Sequence, residues 1–359
     1  KRGKGGKNTQ SLTADETALQ KLIHKYKSKP LETIIELRHI NKIISTYIDF
    51  RTDKEDGRIR CSFNMMGTNT GRLSESPAPT GSGTTLHNLP RKGVEIDLGE
   101  EKIVLPNIKE MMVADPGMIF LSPDYKQAEL FAVAMLAGEE SLLKLLVDGI
   151  DVHKTVASRL FDLPFQDIKS DQRYLAKRTV HGSNYGLSWM KLGELFVKDK
   201  IHIEAKELKR MQNIYHLLFP KIKGKFQANV VKQLFETSRL VNCFGRVRTF
   251  FGHLDEETFR KAYAYVPQSS ISDLLKRAAR KINLDARFKV LGEQHDSIWV
   301  TAKRPSSADE MESWVEWIWD QMKIPITLNG YTLQIPADMK WGYSLGTLED
   351  YEKEKFCLG

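Results

Sequence analysis

The spacing of apolar residues predicts helices and strands from the start of the chain. Over residues 31–48 apolar side chains recur every three or four positions, which predicts an amphipathic helix, and Pro30 suits its first turn. A short apolar run at 118–121 predicts a buried strand that ends at Asp124, and a helix over about 126–137 is expected to follow. Asp124 would then project from the end of a rigid element.

The middle of the chain is predicted to be mainly helical. Residues 67–93 are rich in Gly, Pro, Ser and Thr and are expected to form a long irregular segment, which in a compact protein is usually functional or mobile. Helical spacing dominates 139–233, and 239–251 are expected to be extended with a turn at Gly245.

A second acidic residue is predicted at the tip of a hairpin. A helix over 271–282 precedes two strand-like runs, 288–291 and 298–301. The residues between these runs, Gly-Glu-Gln-His-Asp-Ser, predict a turn that contains Asp296.

Composition describes a folded, mildly basic protein. The 359 residues include 54 Lys and Arg against 46 Asp and Glu, a formal net charge of +8. Four cations and no acid fall within residues 1–10, which are expected to form a flexible basic tail. Half of the excess charge therefore belongs to this tail, so net charge alone is a weak indication of a polyanionic partner.

Cysteine usage and hydropathy exclude several classes of protein. Cys61, Cys243 and Cys357 are far apart and form no Cys-x-x-Cys pair, which argues against a disulfide framework and a zinc module. No apolar run reaches the roughly 18 residues that a membrane helix needs. The basic start is not followed by the apolar segment of a secretory signal.

Asp124 and Asp296 are the first candidates for chemistry. Two acids that project from rigid elements can hold a pair of divalent ions suited to displacement at phosphorus. On local sequence alone the ordinary interpretation is stronger, with Asp124 capping a helix and Asp296 filling a turn.

The second candidate is a helix face that carries Arg173, Lys177, His181 and Tyr185. Residues four apart lie on one side of a helix, so two cations, an imidazole and a phenol would line up. Such a face could hold a triphosphate at one end and stack on a base at the other. The alternative is a solvated cationic face with the tyrosine packed inward. His153, Arg72, Arg246, Arg248 and Gln268 are each weak signals when taken singly.

Taken in order, five segments resemble the polymerase region of family A DNA polymerases, the class that includes bacterial DNA polymerase I and many phage replicases. ELRHINKIISTYID is similar to the helix between thumb and palm, and TGRLS with LHNLP is similar to the palm-entry segment. SPDYKQAEL resembles motif A, RYLAKRTVHGSNYG resembles motif B and QHDS resembles motif C. The resemblance covers nearly the whole chain.

The resemblance implies a metal-dependent catalytic centre. Asp124 and Asp296 match the two catalytic aspartates that bind metal, and the main-chain carbonyl of Tyr125 matches a further ligand. Two Mg²⁺ ions are expected, with Mn²⁺ as a substitute.

The resemblance also implies a site for the incoming nucleotide. Arg173 and Lys177 match cations that hold the triphosphate, and His153 matches a histidine that reaches the same phosphates. Tyr185 matches a tyrosine near the templating base, and Glu129 matches the steric gate that disfavours a 2′-hydroxyl. The full set of expected nucleotide-binding residues is Gln127, Glu129, His153, Arg173, Lys177, His181 and Tyr185.

On the DNA side, Arg72, Gln268 and His295 match residues at the primer terminus and its minor groove, where shared acceptors permit shape checking without reading sequence. Arg246 and Arg248 are expected to make further DNA contacts.

Three residues depart from the family pattern. His181 stands where motif B usually has Phe or Tyr, so stacking on the base and sugar is expected to differ. Ser297 replaces the glutamate that usually follows the motif C aspartate, where it is expected to be tolerated. Lys126 replaces a serine of motif A and is expected to add a cation beside the site.

Two other functions remain open at this point. HDS and KRTV also resemble single-subunit phage-type RNA polymerases, but Glu129 and TGRLS favour DNA synthesis. A non-catalytic DNA-binding subunit is the third hypothesis, against which stands the joint presence of Asp124, Asp296, Arg173 and Lys177.

The fold implied by the resemblance is an α+β right-hand architecture with an antiparallel-sheet palm, helical fingers and a partial thumb. After the tail at 1–10, the expected division is a partial thumb and thumb-palm helix at 11–60, palm at 61–132, fingers at 133–235 and palm again at 236–359.

The expected partners are primer-template DNA and dNTPs. Because the chain begins inside what resembles the thumb, proofreading is expected to reside on a separate exonuclease chain or a missing segment, and a processivity factor is a further candidate. The protein is expected to act as a monomer, away from membranes, in the cytoplasm of a bacterium or phage-infected host, with an organelle as the alternative.

Overall fold

The structure is a computed structural model, and it describes residues 14–45, 51–89, 93–97 and 102–352. The predicted tail at 1–10, the end of the first predicted helix at 46–48 and Cys357 lie outside these residues.

The described part of the chain contains both helices and strands. The helices are α1 Glu16–Tyr26, α2 Lys29–Ile43, α3 Ala128–Ala137, α4 Glu140–Val147, α5 Val152–Phe161, α6 Ser170–Asn184, α7 Trp189–Lys198, α8 Ala205–Leu218, α9 Ala228–Thr237, α10 Glu256–Asn283 and α11 Ala308–Met322. The strands are β1 Cys61–Asn64, β2 Ser74–Pro77, β3 Val94–Asp97, β4 Lys102–Leu105, β5 Met118–Tyr125, β6 Arg239–Val241, β7 Val247–Thr249, β8 Phe288–Gln294, β9 Ser297–Lys303, β10 Ile326–Leu328, β11 Tyr331–Leu333, β12 Ala337–Gly342 and β13 Glu349–Asp350. A π-helical segment, Ile222–Gln227, leads into α9.

A five-stranded antiparallel sheet forms the centre of the molecule. Its strand order is β13-β12-β5-β9-β8, so β5 is the middle strand and β8 lies at one edge. Register sets Asp124 on β5 opposite Ser297 on β9 and Asp338 on β12. The predicted hairpin is confirmed, with only His295 and Asp296 between its two strands.

Helices α3 to α9 form the second block, as the apolar spacing over 139–233 predicts. Helix α3 is the most apolar element, with eight of its ten residues buried. One continuous core joins this block to the sheet and includes Leu121 of β5, Met135 of α3 and Leu274 of α10, all fully buried. The helical block and the sheet that carries Asp124 therefore share one core, with α10 in contact with β8 and β9.

Helix α10 is much longer than its sequence suggests. It runs over 28 residues and contains Pro267, whereas the prediction covered only 271–282. The predicted start of this helix was wrong, because Pro267 and the polar run that follows it conceal the helical period. Ser269, Ser270 and Ser272 are buried in this run, and Ser270 Oγ accepts a hydrogen bond from the Cys243 amide at 3.4 Å.

Helix α2 forms as predicted, but part of its predicted apolar stripe is exposed. Ile35 and Ile43 are buried, whereas Ile34, Leu37 and Ile44 of the predicted apolar stripe are 40%, 54% and 48% exposed. Helix α2 packs chiefly on α1, which covers only one side of it.

The described part of the segment 67–93 is less irregular than expected. It contains β2, which pairs with β1, and a 3₁₀ turn at Leu86–Asn88. None of the helices in the described part of the chain combines the length and apolarity that crossing a bilayer requires.

Gly186→Ala is expected to lower the free energy of unfolding by about 2 to 4 kcal/mol. Gly186 has φ +68°, and an added Cβ would lie 2.7 Å from Cε2 of Tyr263. Urea denaturation followed by tryptophan fluorescence measures the loss. Gly149→Ala is the matched control, because Gly149 has φ +69° but no neighbour within 4 Å, and it should cost only about 1 kcal/mol. Equal losses in both variants would contradict the steric argument.

Candidate active site

The two predicted aspartates are joined through the backbone of adjacent strands. Asp124 is the penultimate residue of β5, and Asp296 lies in the β8–β9 turn. The amide of Tyr125 donates a hydrogen bond to the carbonyl oxygen of Asp296 at 3.1 Å. The two acids are therefore held together by main-chain geometry.

Tyr125 itself points into the core. Its hydroxyl donates to the carbonyl of Met322 at 2.7 Å, and burial raises the pKa of this phenol. The side chain of Tyr125 is thus engaged in the core, and the role expected for its main-chain carbonyl stays a prediction.

A cavity of about 970 Å³ opens in front of these acids. Its lining brings together thirteen of the residues predicted from the sequence: Arg72, Asp124, Tyr125, Gln127, Glu129, His153, Arg173, Lys177, His181, Tyr185, Gln268, His295 and Asp296. Arg246 and Arg248 are not in this lining. Acids and cations thus line the same cavity.

The cationic side of the cavity is α6. Arg173 is held in place, because its Nε donates to Oδ2 of Asp151 at 2.6 Å, and Asp151 also caps α5 by accepting from the Lys154 amide at 3.0 Å. Burial alone would raise the pKa of Asp151, but the hydrogen bond from Arg173 lowers it. Lys177 is exposed, and no carboxylate of the described residues pairs with it.

Two histidine rings line the same cavity as the cations of α6. The centroids of His153 and His181 are 5.5 Å apart. Burial, and next the neighbouring His181, lowers the pKa of His153 to about 3, and burial also lowers the pKa of His181. His153 therefore stays neutral at pH 7, beside a strongly cationic helix.

Glu129 closes the other end of the cavity. Tyr185, which directly follows α6, donates its hydroxyl to Oε2 of Glu129 at 2.5 Å, and Arg72 pairs with Oε1 of the same carboxylate. Burial and the negative charge of Glu129 raise the pKa of Tyr185. These contacts tie the segment around Arg72 to the start of α3 and the end of α6.

Lys126 lies beside the site, outside the cavity lining. Its Nζ pairs with Oδ1 of Asp338 at 2.5 Å, and it is absent from the cavity lining. Asp338 lies beside Asp124 in the register of the sheet, and cross-strand partners share one face. The lysine therefore neutralises a neighbouring acid.

Sequence reasoning missed Lys109 and Gln294. Lys109 is buried, its Nζ donates to Oε1 of Gln294 at 2.6 Å, and both residues line the cavity. A lysine in the context Asn-Ile-Lys-Glu looks like a surface residue, so the sequence contained no signal for it.

A second cavity of about 750 Å³ is lined by Arg246 and three cations of α10, Lys276, Arg277 and Arg280. Arg246 is paired with Asp273 at 2.7 Å. Arg248 lines neither cavity and instead packs over the ring of Phe250, 4.4 Å from its centroid.

A solved structure with the same architecture is the polymerase domain of Pol1 from M. smegmatis in complex with DNA primer-template and dNTP. It aligns with a TM-score of 0.72 at 23% identity, over 94% of this chain and 57% of that one. The fold is therefore that of a right-hand polymerase domain, with α+β composition, an antiparallel-sheet palm and helical fingers.

The sequence profile of DNA polymerase family A matches residues 1–346, and the chain belongs to this family. The thermostable DNA polymerase I of Thermus filiformis is 28% identical over 336 residues, covering 89% of this chain and 36% of the relative. DNA polymerase I of Chloroflexus aurantiacus is 30% identical over 322 residues, covering 82% of this chain and 31% of the relative. The chain thus spans about a third of the length of these curated relatives. Family A polymerases in general use divalent metal ions.

His153→Gln is expected to flatten the pH dependence of stability between about pH 4 and 6.5. With a pKa of about 3 in the folded protein against 6.5 ordinarily, His153 takes up a proton on unfolding in this window, so wild-type stability falls as the pH falls. One such proton corresponds to about 1.4 kcal/mol per pH unit. Thermal midpoints at several pH values test this. The exposed His253 provides the control, since His253→Gln should retain the wild-type slope, and an unchanged slope in His153→Gln would refute the prediction.

Proposed function

We propose that this chain carries out template-directed DNA synthesis, adding dNMP from dNTP to a primer 3′-hydroxyl and releasing pyrophosphate. The observation that carries the proposal is the arrangement of the cavity: Asp124 on β5 and Asp296 in the β8–β9 turn line the same cavity as Arg173 and Lys177 on α6. The primer oxygen would form its bond to the α-phosphorus while the bond from that phosphorus to the pyrophosphate oxygen breaks.

The acidic side of the cavity suits magnesium. Within the described residues no group of three or more His, Cys, Asp or Glu could hold a metal ion. Mg²⁺ is commonly bound by one or two carboxylates together with substrate phosphates rather than by a complete protein cage. Asp124, Asp296 and the carbonyl of Tyr125 are the residues that would hold two Mg²⁺ ions, or Mn²⁺ in their place. When bound, such ions supply Lewis-acid activation of the attacking oxygen and stabilise the leaving group.

The cationic side of the cavity suits a triphosphate. Arg173 is pre-oriented by Asp151, so little side-chain entropy remains to be lost when it binds a phosphate. Lys177, four residues along the same helix, supplies a mobile ammonium for the phosphates that leave. The neutral His153 would donate a ring N–H to the same phosphates.

The opposite end of the cavity suits a deoxyribose. Glu129 has both carboxylate oxygens engaged, by Tyr185 and Arg72, and is therefore a fixed obstacle. A 2′-hydroxyl at this wall would have to displace a hydrogen-bonded carboxylate, which supports discrimination against ribonucleotides. His181 and Gln127 would complete the nucleotide site.

The second cavity suits the phosphate backbone of DNA. Arg277 and Arg280 project from the same helix, α10, that brings Gln268 to the first cavity. Gln268, His295 and Arg72 would meet the primer terminus, and Arg246 would contact the backbone further along. Arg248, which packs over the ring of Phe250, stays a predicted DNA contact.

Family membership does not favour an RNA polymerase or a non-catalytic subunit. The proposed parts of the hand are a partial thumb and connecting helix at 11–60, palm at 61–132 and 236–359, and fingers at 133–235. A separate exonuclease chain, a processivity factor and a cytoplasmic location stay predictions from the sequence.

Asp296→Ala is expected to lower the rate of primer extension by at least about a thousandfold, or about 4 kcal/mol of transition-state stabilisation. The assay extends a labelled primer on a DNA template with Mg²⁺ and compares dNTPs with rNTPs. Asp320→Ala, at an exposed acid of α11, is the control and should extend normally. Normal extension by Asp296→Ala would refute the mechanism.

Glu129→Ala is expected to raise the use of rNTPs relative to dNTPs by at least about tenfold, the scale of one lost discriminating contact. The ratio of kcat/KM for the two nucleotide types measures it. Glu140→Ala removes an exposed carboxylate from the start of the next helix and should leave the ratio unchanged. An unchanged ratio in Glu129→Ala would remove the gate assignment.

A further inference from the structure

A buried polar network lies behind the β8–β9 hairpin, outside both cavities. It consists of Glu75 on β2, His87 in the 3₁₀ turn and Glu293 on β8. The side chain of Glu75 is only 1% exposed. Burying a carboxylate is costly, and among the described residues Oε2 of Glu75 accepts a hydrogen bond whereas Oε1 has no hydrogen-bond partner.

Glu75 fixes the position of His87. Its Oε2 accepts a hydrogen bond from the His87 amide at 2.7 Å, and its Oε1 lies 3.3 Å from Nε2 of the same histidine. One carboxylate therefore contacts both the main chain and the ring of His87. Rotation of the ring would break the second contact.

His87 in turn holds the last two residues of β8. Its Nε2 donates to the carbonyl oxygen of Glu293, and its own carbonyl accepts from Nε2 of Gln294 at 3.4 Å. Gln294 is followed directly by the His295-Asp296 turn. Since β8 is an edge strand, β9 supports it on one side and His87 on the other.

The same network reaches the Glu129 end of the active site. The amide of Leu73 donates to Oε1 of Glu293 at 3.2 Å, and the preceding residue, Arg72, pairs with Glu129. Packing adds to the polar contacts, because a Cβ at Gly292 would lie 2.7 Å from Cζ of Phe63 on β1. The β1–β2 unit and the hairpin are thus fitted closely together.

We propose that Glu75 and His87 are positioning residues for the polymerase reaction, which set the position of Asp296 relative to Asp124 and of Arg72 relative to Glu129. They act through β8 and do not touch the reacting groups. The inference rests on the proposed function. Because reactions in preorganised sites are sensitive to displacements of about 1 Å, a small shift of the hairpin would lower turnover without weakening the cationic nucleotide site on α6.

The test compares His87→Leu, which removes the donor, with His87→Gln, which retains a side-chain N–H. His87→Leu should lower kcat by about tenfold while KM for dNTP changes less than about twofold. His87→Gln should recover most of the loss. A second readout needs no activity: hydrogen exchange at the Tyr125 amide, which bonds to the Asp296 carbonyl, should accelerate in His87→Leu and return towards wild type in His87→Gln.

His216→Leu is the matched control, since this part-buried histidine lies on α8, away from the network. It should leave kcat and exchange at Tyr125 unchanged. Wild-type kcat and exchange in His87→Leu would overturn the proposal, and so would faster exchange throughout the chain rather than at the hairpin. If the wild-type chain extends no primer, the proposed function fails, and exchange at Tyr125 still decides whether His87 positions the turn.

Discussion

The antiparallel pairing of β5 with β9 is the constraint on which the active site depends. It joins two acids that are 172 positions apart in the sequence, and the hydrogen bond from the Tyr125 amide to the Asp296 carbonyl fixes their separation through the backbone. Backbone geometry is stiffer than side-chain geometry, because it is shared with every neighbouring rung of the sheet. Edge strand β8 pairs with β9, and helix α10 packs on both β8 and β9.

Three further side chains of the site, those of Arg173, Tyr185 and Arg72, are held by carboxylates. Asp151 holds Arg173, and Glu129 holds both Tyr185 and Arg72. In each case a carboxylate joins two elements that are apart in the sequence. The cations and the phenol are therefore already oriented when a ligand binds. Groups that are oriented in advance need not reorganise during the reaction. This preorganisation is the main source of electrostatic catalysis.

The segments that carry the motifs were predictable because each has a clear local pattern. An apolar run precedes Asp124, strand-like runs flank Asp296, and the residues from Arg173 to Tyr185 recur every four positions. The first half of α10 was not predictable from the sequence. Pro267 and the buried serines of this helix are stabilised by tertiary contacts that a single segment does not reveal. Lys109 was missed for the same reason, because its burial depends on Gln294, 185 positions away. The order of the five motifs and their resemblance to a family identified the residues of the site, whereas the partners of these residues required the fold.

The pair formed by Lys126 and Asp338 has a consequence for how the sequence can vary. Asp338 is the register neighbour of Asp124, and without the lysine the sheet would present an additional uncompensated negative charge beside the two acids. The two positions therefore share one electrostatic constraint although 212 residues separate them. Among related chains we expect them to covary, with a neutral residue at 126 accompanied by a neutral residue at 338.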